Sequence, residues 1–129
     1  MNDTAPVLKI KLQVYCGSEI AMGPGKADLL EAIRRNRSIS AAGRALGMSY
    51  RRAWLLVDTM NRCWAEPLVA TSPGAAQGAG ARVTAFGETV LARYRALQDA
   101  AEQAVVAADW ATLATGLRKN PLDHQQRES

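Results

Sequence analysis

The chain has 129 residues, of which 48% are hydrophobic and 22% charged, and its net charge is +4. This length fits one domain, or one domain with an appended helix, and the apolar content is enough for a buried core. No apolar run approaches the roughly 18–20 residues needed to cross a bilayer, and the N-terminus lacks a signal-peptide pattern. We therefore expect a cytoplasmic protein that makes no membrane contact.

The N-terminal part predicts a strand or hairpin followed by a helix. Residues 8–16 alternate between apolar and polar side chains, which is typical of a half-buried strand. Gly17 and Ser18 form a turn signal, and residues 19–22 predict a short returning strand. Residues 26–36 then predict a helix. Its apolar stripe consists of Leu29, Leu30 and Ile33.

Residues from about 38 to 63 predict a helix-turn-helix. Ser38 or Ser40 can cap its first helix, and Gly47 suits the left-handed conformation that ends a helix. Ser49 is the predicted cap of the second helix, which should run to about Cys63. The buried stripe of this helix is predicted, from its spacing, to be Ala53, Val57, Met60 and Trp64.

Two short apolar segments flank the glycine-rich stretch TSPGAAQGAGA and predict a β-hairpin wing over about residues 67–84. Thr84 should cap a last helix over about residues 85–113. A heptad pattern indicates that this helix mediates dimerisation, although its start can also pack on its own domain. The heptad positions are Val90, Tyr94, Leu97, Ala101, Ala104, Ala108 and Ala111. Residues 114–129 predict a polar C-terminal tail.

The predicted fold class is therefore mainly α (α+β). Residues 1–113 form one winged helix-turn-helix domain, with an N-terminal strand or hairpin and a long C-terminal dimerisation helix. No catalytic or metal site is predicted, because His124 lies in the tail and Cys16 and Cys63 belong to no CxxC pair. We expect both cysteines to be small buried hydrophobes.

Positive charge is concentrated in the predicted helix-turn-helix. Between Arg34 and Arg62 there are seven arginines and one acid, a net charge of +6, whereas the whole chain carries +4. A local excess of this kind is typical of a nucleic-acid-binding surface. The second helix of such a motif enters the DNA major groove by its N-terminal end. The candidate DNA-binding residues are Ser38, Ser40, Ser49, Tyr50, Arg51, Arg52 and, at the wing, Arg82.

The candidate residues at the second helix and the wing are chosen for the DNA contacts that their chemistry allows. Arg51 and Arg52 can donate paired hydrogen bonds to a guanine edge or hold a phosphate. Ser49 and the amides beside it suit a phosphate oxygen. Tyr50 can contact DNA or pack its ring under the wing, and the sequence leaves both open. At the wing, a phosphate could be approached by the backbone amides of Gly74, Gly78 and Gly80.

Residues 23–26, Gly-Pro-Gly-Lys, look like a piece of a nucleotide-binding phosphate loop. The full pattern needs an earlier glycine, where this chain has Ile20, and a Ser or Thr after the lysine, where it has Ala27. We therefore expect no nucleotide site, no cofactor and no enzymatic activity.

Several motifs resemble one known family. GPGKADLLEAI, SISAAGRALGMSYRRAW, the pair MN, and a glycine-rich loop leading into RVTAFGETVLARY are similar to the N-terminal DNA-binding domain of ModE molybdate-responsive regulators. The resemblance covers about residues 8–104 and extends, more distantly, to the LysR-type winged helix. It implies a homodimer, with the C-terminal helix and N-terminal strands near the dimer contact. It also implies operator binding through residues 49–52, assisted by the wing near Arg82.

The chain departs from that family in one respect. Full-length members carry a C-terminal pair of small β-barrel molybdate-binding domains, and no further strands follow here. We expect a stand-alone ModE-like form that lacks molybdate-binding domains and regulates transcription by binding double-stranded DNA, with molybdate transport or molybdoenzyme genes as targets by analogy. The alternative is a winged-helix protein-interaction module without specific DNA readout.

Overall fold

The computed structural model of the chain describes residues 5–72 and 80–124. Within these ranges two antiparallel hairpins and five helices follow one another along the chain. They are β1 (Val14–Cys16), β2 (Glu19–Met22), α1 (Pro24–Asn36), α2 (Ile39–Ala45), α3 (Tyr50–Cys63), β3 (Val69–Thr71), β4 (Ala81–Val83), α4 (Ala85–Gln103) and α5 (Ala107–Thr115). The predicted winged helix-turn-helix of the α+β class is confirmed. No helix in the described ranges is both long enough and apolar enough to span a bilayer.

One core holds α1, α2 and α3 together, and α1 lies at its centre. The predicted stripe of α1 is confirmed, because Leu29, Leu30 and Ile33 are fully buried. From α3, Ala53 and Met60 enter the same core. Burial of such side chains, at about 25 cal/mol per Å², is the main stabilising contribution in a domain of this size. The buried side chains of this core also include Ile39, Ala42 and Val57.

The two helices of the helix-turn-helix begin at serine caps, as predicted. The Ser38 hydroxyl accepts a hydrogen bond from the Ala41 amide, and the Ser49 hydroxyl accepts one from the Arg52 amide, each at 3.1 Å. Gly47 lies between the helices with φ of +73°, a conformation that glycine adopts without strain. These features fix where α3 begins and therefore which side chains its first turn exposes.

The α4 helix joins the wing to α1. Its cap is Thr84, whose hydroxyl accepts a hydrogen bond from the Gly87 amide at 2.9 Å, as predicted. Further along, the guanidinium of Arg95 donates two hydrogen bonds to the Glu31 carboxylate, at 2.9 and 3.0 Å. The Tyr94 hydroxyl donates to the Leu12 carbonyl at 2.7 Å, which holds the N-terminal segment against α4.

The prediction of a strand from Leu8 is wrong in its length. Only Val14–Cys16 pairs with β2, and the register shifts between Val14 and Tyr15. Residues 8–13 alternate in character but have no strand partner in the described ranges. Alternation alone does not make a strand, because each strand needs a neighbour for its backbone hydrogen bonds.

The prediction of one continuous helix over residues 85–113 is also wrong. The α4 helix ends at Gln103, and a separate helix, α5, begins at Ala107. The Val105 amide bonds to the Glu102 carbonyl in a tight final turn, and Val106 then adopts extended dihedral angles. Adjacent β-branched residues lose side-chain freedom in a helix, and this favours a break at this point.

The two cysteines do not fill the core. Cys16 is exposed and Cys63 is half-buried, so the prediction that both are small buried hydrophobes is wrong. Burial raises the pKa of the Cys63 thiol, and a hydrogen bond with Cys16 raises it further. Cys16 of β1 and Cys63 at the end of α3 are therefore neighbours, although they are 47 positions apart in sequence.

Candidate nucleic-acid interface

The start of α3 is an exposed basic part of the helix-turn-helix. Ser49, Tyr50, Arg51 and Arg52 occupy its N-cap and first turn, and all four are exposed. The side chain of Tyr50 remains 49% exposed. The structure thus brings four of the predicted site residues together at a helix N-terminus, where backbone amides and the helix dipole favour a negative ligand.

Arg51 and Arg52 lie on different sides of α3. Arg51 lines a shallow hollow with Tyr50, Leu55 and Asp58. Arg52 instead lines a pocket with residues from α1. Consecutive residues of an α-helix are separated by about 100°, because 3.6 residues make one turn. The two arginines therefore face different pockets on the surface of the fold.

An aromatic pair lies beside Arg51 on α3. The rings of Tyr50 and Trp54 meet edge to face, with centroids 6.3 Å apart and planes at 67°. Leu55, one turn after Arg51, is 52% exposed. The Trp54 indole nitrogen is buried and has no hydrogen-bond acceptor among the described residues. Trp54 is not among the site residues predicted from the sequence, although its i, i+4 spacing from Tyr50 places both residues on one helix face.

Ser38 and Ser40 are placed differently from the α3 residues. Both are half-buried, and their hydroxyl oxygens are 3.4 Å apart. The Ser38 hydroxyl already caps α2, so its first role is structural. Both residues lie at the start of α2, beside the segment that contacts the wing.

The wing is hydrogen-bonded to the turn between α1 and α2. The carbonyl of Arg37 accepts hydrogen bonds from the amides of Gly80, at 3.0 Å, and Ala81, at 3.1 Å. The expectation that the Gly80 amide is available to a phosphate is therefore wrong, because that amide is used inside the protein. The corresponding expectations for Gly74 and Gly78 fall outside the described residues.

Arg82 lies on β4 directly after this contact. It is exposed, and its backbone pairs with Ala70 of β3. The contact between Arg37 and Ala81 thus places the wing strand that carries Arg82 beside the start of α2. Among the described residues, Arg82 forms no salt bridge or side-chain hydrogen bond with the residues at the start of α3.

Charge pairing leaves the start of α3 positive. Arg34 is paired with Glu88 at 2.6 Å, and Arg62 is paired with Asp58 at 2.9 Å. Neither Arg51 nor Arg52 forms a salt bridge with any described residue. No group of His, Cys, Asp and Glu in residues 5–72 and 80–124 is arranged to hold a metal ion.

The chain is similar to several curated proteins, although no protein-family model matches it. It is 40% identical over 98 residues to the molybdenum transport protein ModE of Azotobacter vinelandii, covering 76% of this chain and 36% of that protein. It is 46% identical over 77 residues to the molybdenum-pterin-binding protein MopB of Rhodobacter capsulatus. This match covers 60% of this chain and 28% of that protein.

A third relative is the DNA-binding transcriptional dual regulator ModE of Escherichia coli K12, which is 30% identical to this chain over 98 residues. This match covers 76% of this chain and 36% of that protein. The chain thus spans about a third of the length of these relatives. The similarity extends over the region that holds the helix-turn-helix, since it takes in about three quarters of the chain. Through this shared region, the chain belongs to the ModE family.

Proposed function

We propose that the chain is a sequence-specific, DNA-binding transcriptional regulator without enzymatic activity. The observation that carries this proposal is the exposed and serine-capped start of α3, where Arg51 and Arg52 have no acidic partner among the described residues. In a winged helix-turn-helix this end of the second helix enters the major groove. The relative from Escherichia coli is named as a DNA-binding regulator, which supports the same role here.

Within this proposal the site residues have separate roles. Arg51 reads a base edge from the face that also holds Tyr50, and the Ser49 segment contacts a backbone phosphate. Arg82 contacts DNA from the wing. Ser38 and Ser40 support this surface from the start of α2, close to the phosphate backbone.

We further propose that the chain acts as a homodimer. An apolar hollow of about 280 Å³ lies between the β1–β2 hairpin and α4, and it is lined by Met22, Trp64 and Leu97 among others. Leu97 is 56% exposed although it occupies a predicted heptad position. Dimers of this motif bind two half-sites about one DNA turn, roughly 34 Å, apart, and we propose the same spacing for two α3 helices here.

The names of the relatives suggest what is regulated. They refer to molybdenum transport and molybdenum-pterin binding. We propose that the chain acts on genes for molybdate transport or for molybdoenzymes. Binding to the promoters of such genes, and to no unrelated promoter, is the corresponding test.

The direct test is a selection of bound duplexes from random DNA, followed by affinity measurements on the selected site. Arg51→Ala should weaken specific binding by roughly 1–3 kcal/mol and relax the sequence preference at one position. Arg118→Ala, at an exposed position after α5, is the matched control and should leave affinity nearly unchanged. A wild-type protein that selects no sequence contradicts the proposal.

A second candidate function is a protein-interaction module that uses this scaffold without specific DNA readout. The apolar hollow beside Leu97 favours it, because unpartnered apolar surface is typical of protein contacts. Leu97→Glu distinguishes the two functions. It should abolish partner capture in an interaction module, whereas in a regulator it should weaken DNA binding only as far as it dissociates the dimer.

A further inference from the structure

A pocket beside α3 collects basic side chains from three separate segments of the chain. Lys11 comes from the extended N-terminal segment, Lys26 from the first turn of α1, and Arg52 from the first turn of α3. The pocket has a volume of about 280 Å³. Its other lining residues are Gln13, Ile20, Gly23, Pro24, Gly25 and Leu56. We call it the α1 pocket.

The α1 pocket contains three positive charges and no acid in its lining. None of Lys11, Lys26 and Arg52 forms a salt bridge with a described residue. Burial, and then the positive charge of Arg52, lower the pKa of Lys26, and the carboxylate of Glu19 opposes this more weakly. Like charges held together in a partly buried site repel each other, and an anion between them removes that repulsion.

The start of α1 lines the same pocket with Pro24, Gly25 and Lys26. The α1 helix has 13 residues, and its N-cap, Gly23, provides no side-chain hydrogen bond. The first intrahelical bond runs from the Ala27 amide to the Gly23 carbonyl at 2.9 Å, which leaves the Gly25 and Lys26 amides without a helical acceptor. No atom lies within 4 Å of the position that a Cβ at Gly25 would take, so a ligand oxygen can approach this backbone closely.

We propose that the α1 pocket binds one phosphate group, held by Lys11, Lys26 and Arg52 and by the amides at the start of α1. The phosphate belongs either to the DNA backbone, a possibility that rests on the proposed function, or to a free phosphate ion. Arg52 extends the pocket to the first turn of α3, so a backbone phosphate beside the groove is within its reach. It follows that Arg52 positions the protein on DNA, whereas Arg51 reads the sequence.

The first arm of the test measures DNA affinity against salt concentration. Lys26→Gln should weaken binding to specific and random duplexes alike, and should reduce the slope of log affinity against log salt by about 0.9, the value for one lost phosphate contact. Lys26→Arg keeps the charge and should restore the slope. Lys119→Gln, which removes an exposed lysine after α5, is the control and should leave the slope unchanged. Thermal unfolding of each variant establishes that it is folded.

The second arm titrates inorganic phosphate into the free protein while amide resonances are recorded by NMR. A free-ion site predicts saturable shifts of the Gly25 and Lys26 amides that Lys26→Gln abolishes. A reduced salt slope identifies the ligand as a DNA phosphate, and saturable shifts with an unchanged slope identify it as a free ion. An unchanged slope without saturable shifts overturns the proposal. If the wild-type protein binds no DNA, the proposed function fails, and the NMR arm still decides the pocket.

Discussion

Asn61 and Val69 exchange two hydrogen bonds. The Asn61 side-chain amide donates to the Val69 carbonyl at 3.0 Å, and its oxygen accepts from the Val69 amide at 3.1 Å. The same oxygen accepts from the Leu68 amide at 2.9 Å. Because Asn61 lies in the last turn of α3 and Val69 begins β3, one side chain fixes the wing to the proposed recognition helix.

We expect Asn61→Ala to lower the free energy of unfolding by about 1–3 kcal/mol, because it leaves two backbone amides and a carbonyl without their partner. Asn61→Asp should also destabilise, because a carboxylate cannot donate to the Val69 carbonyl. Urea unfolding measures both effects. Asn120→Ala, at an exposed position, is the control. An Asn61→Ala variant as stable as the control would show that this contact does not hold the wing.

Gly87 is predicted to tolerate no side chain. A Cβ at this position in α4 would lie 2.8 Å from the Val83 side chain and in collision with the Leu68 carbonyl oxygen. We expect Gly87→Ala to destabilise the protein by about 1–3 kcal/mol, although alanine has the higher helix propensity. Gly25→Ala is the matched control, because nothing lies within 4 Å of its Cβ position and α1 should gain or keep stability. Equal melting temperatures for the two variants would contradict the close approach of α4 to the wing.

Arg37 carries backbone strain at the wing contact. Its φ of 56° and ψ of 30° are left-handed, which costs a residue with a side chain roughly 1 kcal/mol relative to glycine. We expect Arg37→Gly to be more stable than Arg37→Ala by about that amount, and both variants remove the same charge. Comparing their chemical unfolding therefore isolates the backbone effect. No difference between the two would mean that this turn relaxes when Arg37 is replaced.

Much of the helix-turn-helix could be predicted because its signals are local. Serine caps act within three residues, and the stripe of Leu29, Leu30 and Ile33 follows the period of one helix. Gly47 likewise needs only its own conformational freedom. Each of these features depends on a few neighbouring residues, so it can be predicted from the sequence without knowledge of the fold.

The candidate site was harder to predict because it depends on packing between distant segments. The charge count predicts a basic surface, but it does not show that Arg51 and Arg52 face different pockets. The proximity of Lys26 to Arg52 follows from the packing of α1 against α3, which brings together residues from two helices. The break after Gln103 has a local cause in the adjacent β-branched Val105 and Val106, but the alanine-rich pattern on both sides of it also fits one continuous helix.

The ion pair between Arg95 and Glu31 predicts a specific pH dependence. The hydrogen bonds from Arg95 lower the pKa of Glu31, which burial opposes. A carboxyl group whose pKa is lower in the folded state stabilises above its unfolded pKa of about 4.3, and this stabilisation is lost as pH falls through the folded pKa. The side chains of Arg95 and Glu31 are 29% and 32% exposed, so after solvent screening we expect about 1 kcal/mol at neutral pH.

Glu31→Gln should therefore be less stable than the wild type at pH 7, and the difference should shrink below about pH 4, as the wild-type carboxylate becomes protonated. Urea unfolding between pH 7 and pH 3 measures it. In an Arg95→Gln background the same substitution should have little effect, because the partner is already absent. A difference that persists unchanged at pH 3, or that survives in the Arg95→Gln background, would mean that Glu31 stabilises the contact between α1 and α4 by packing rather than by charge.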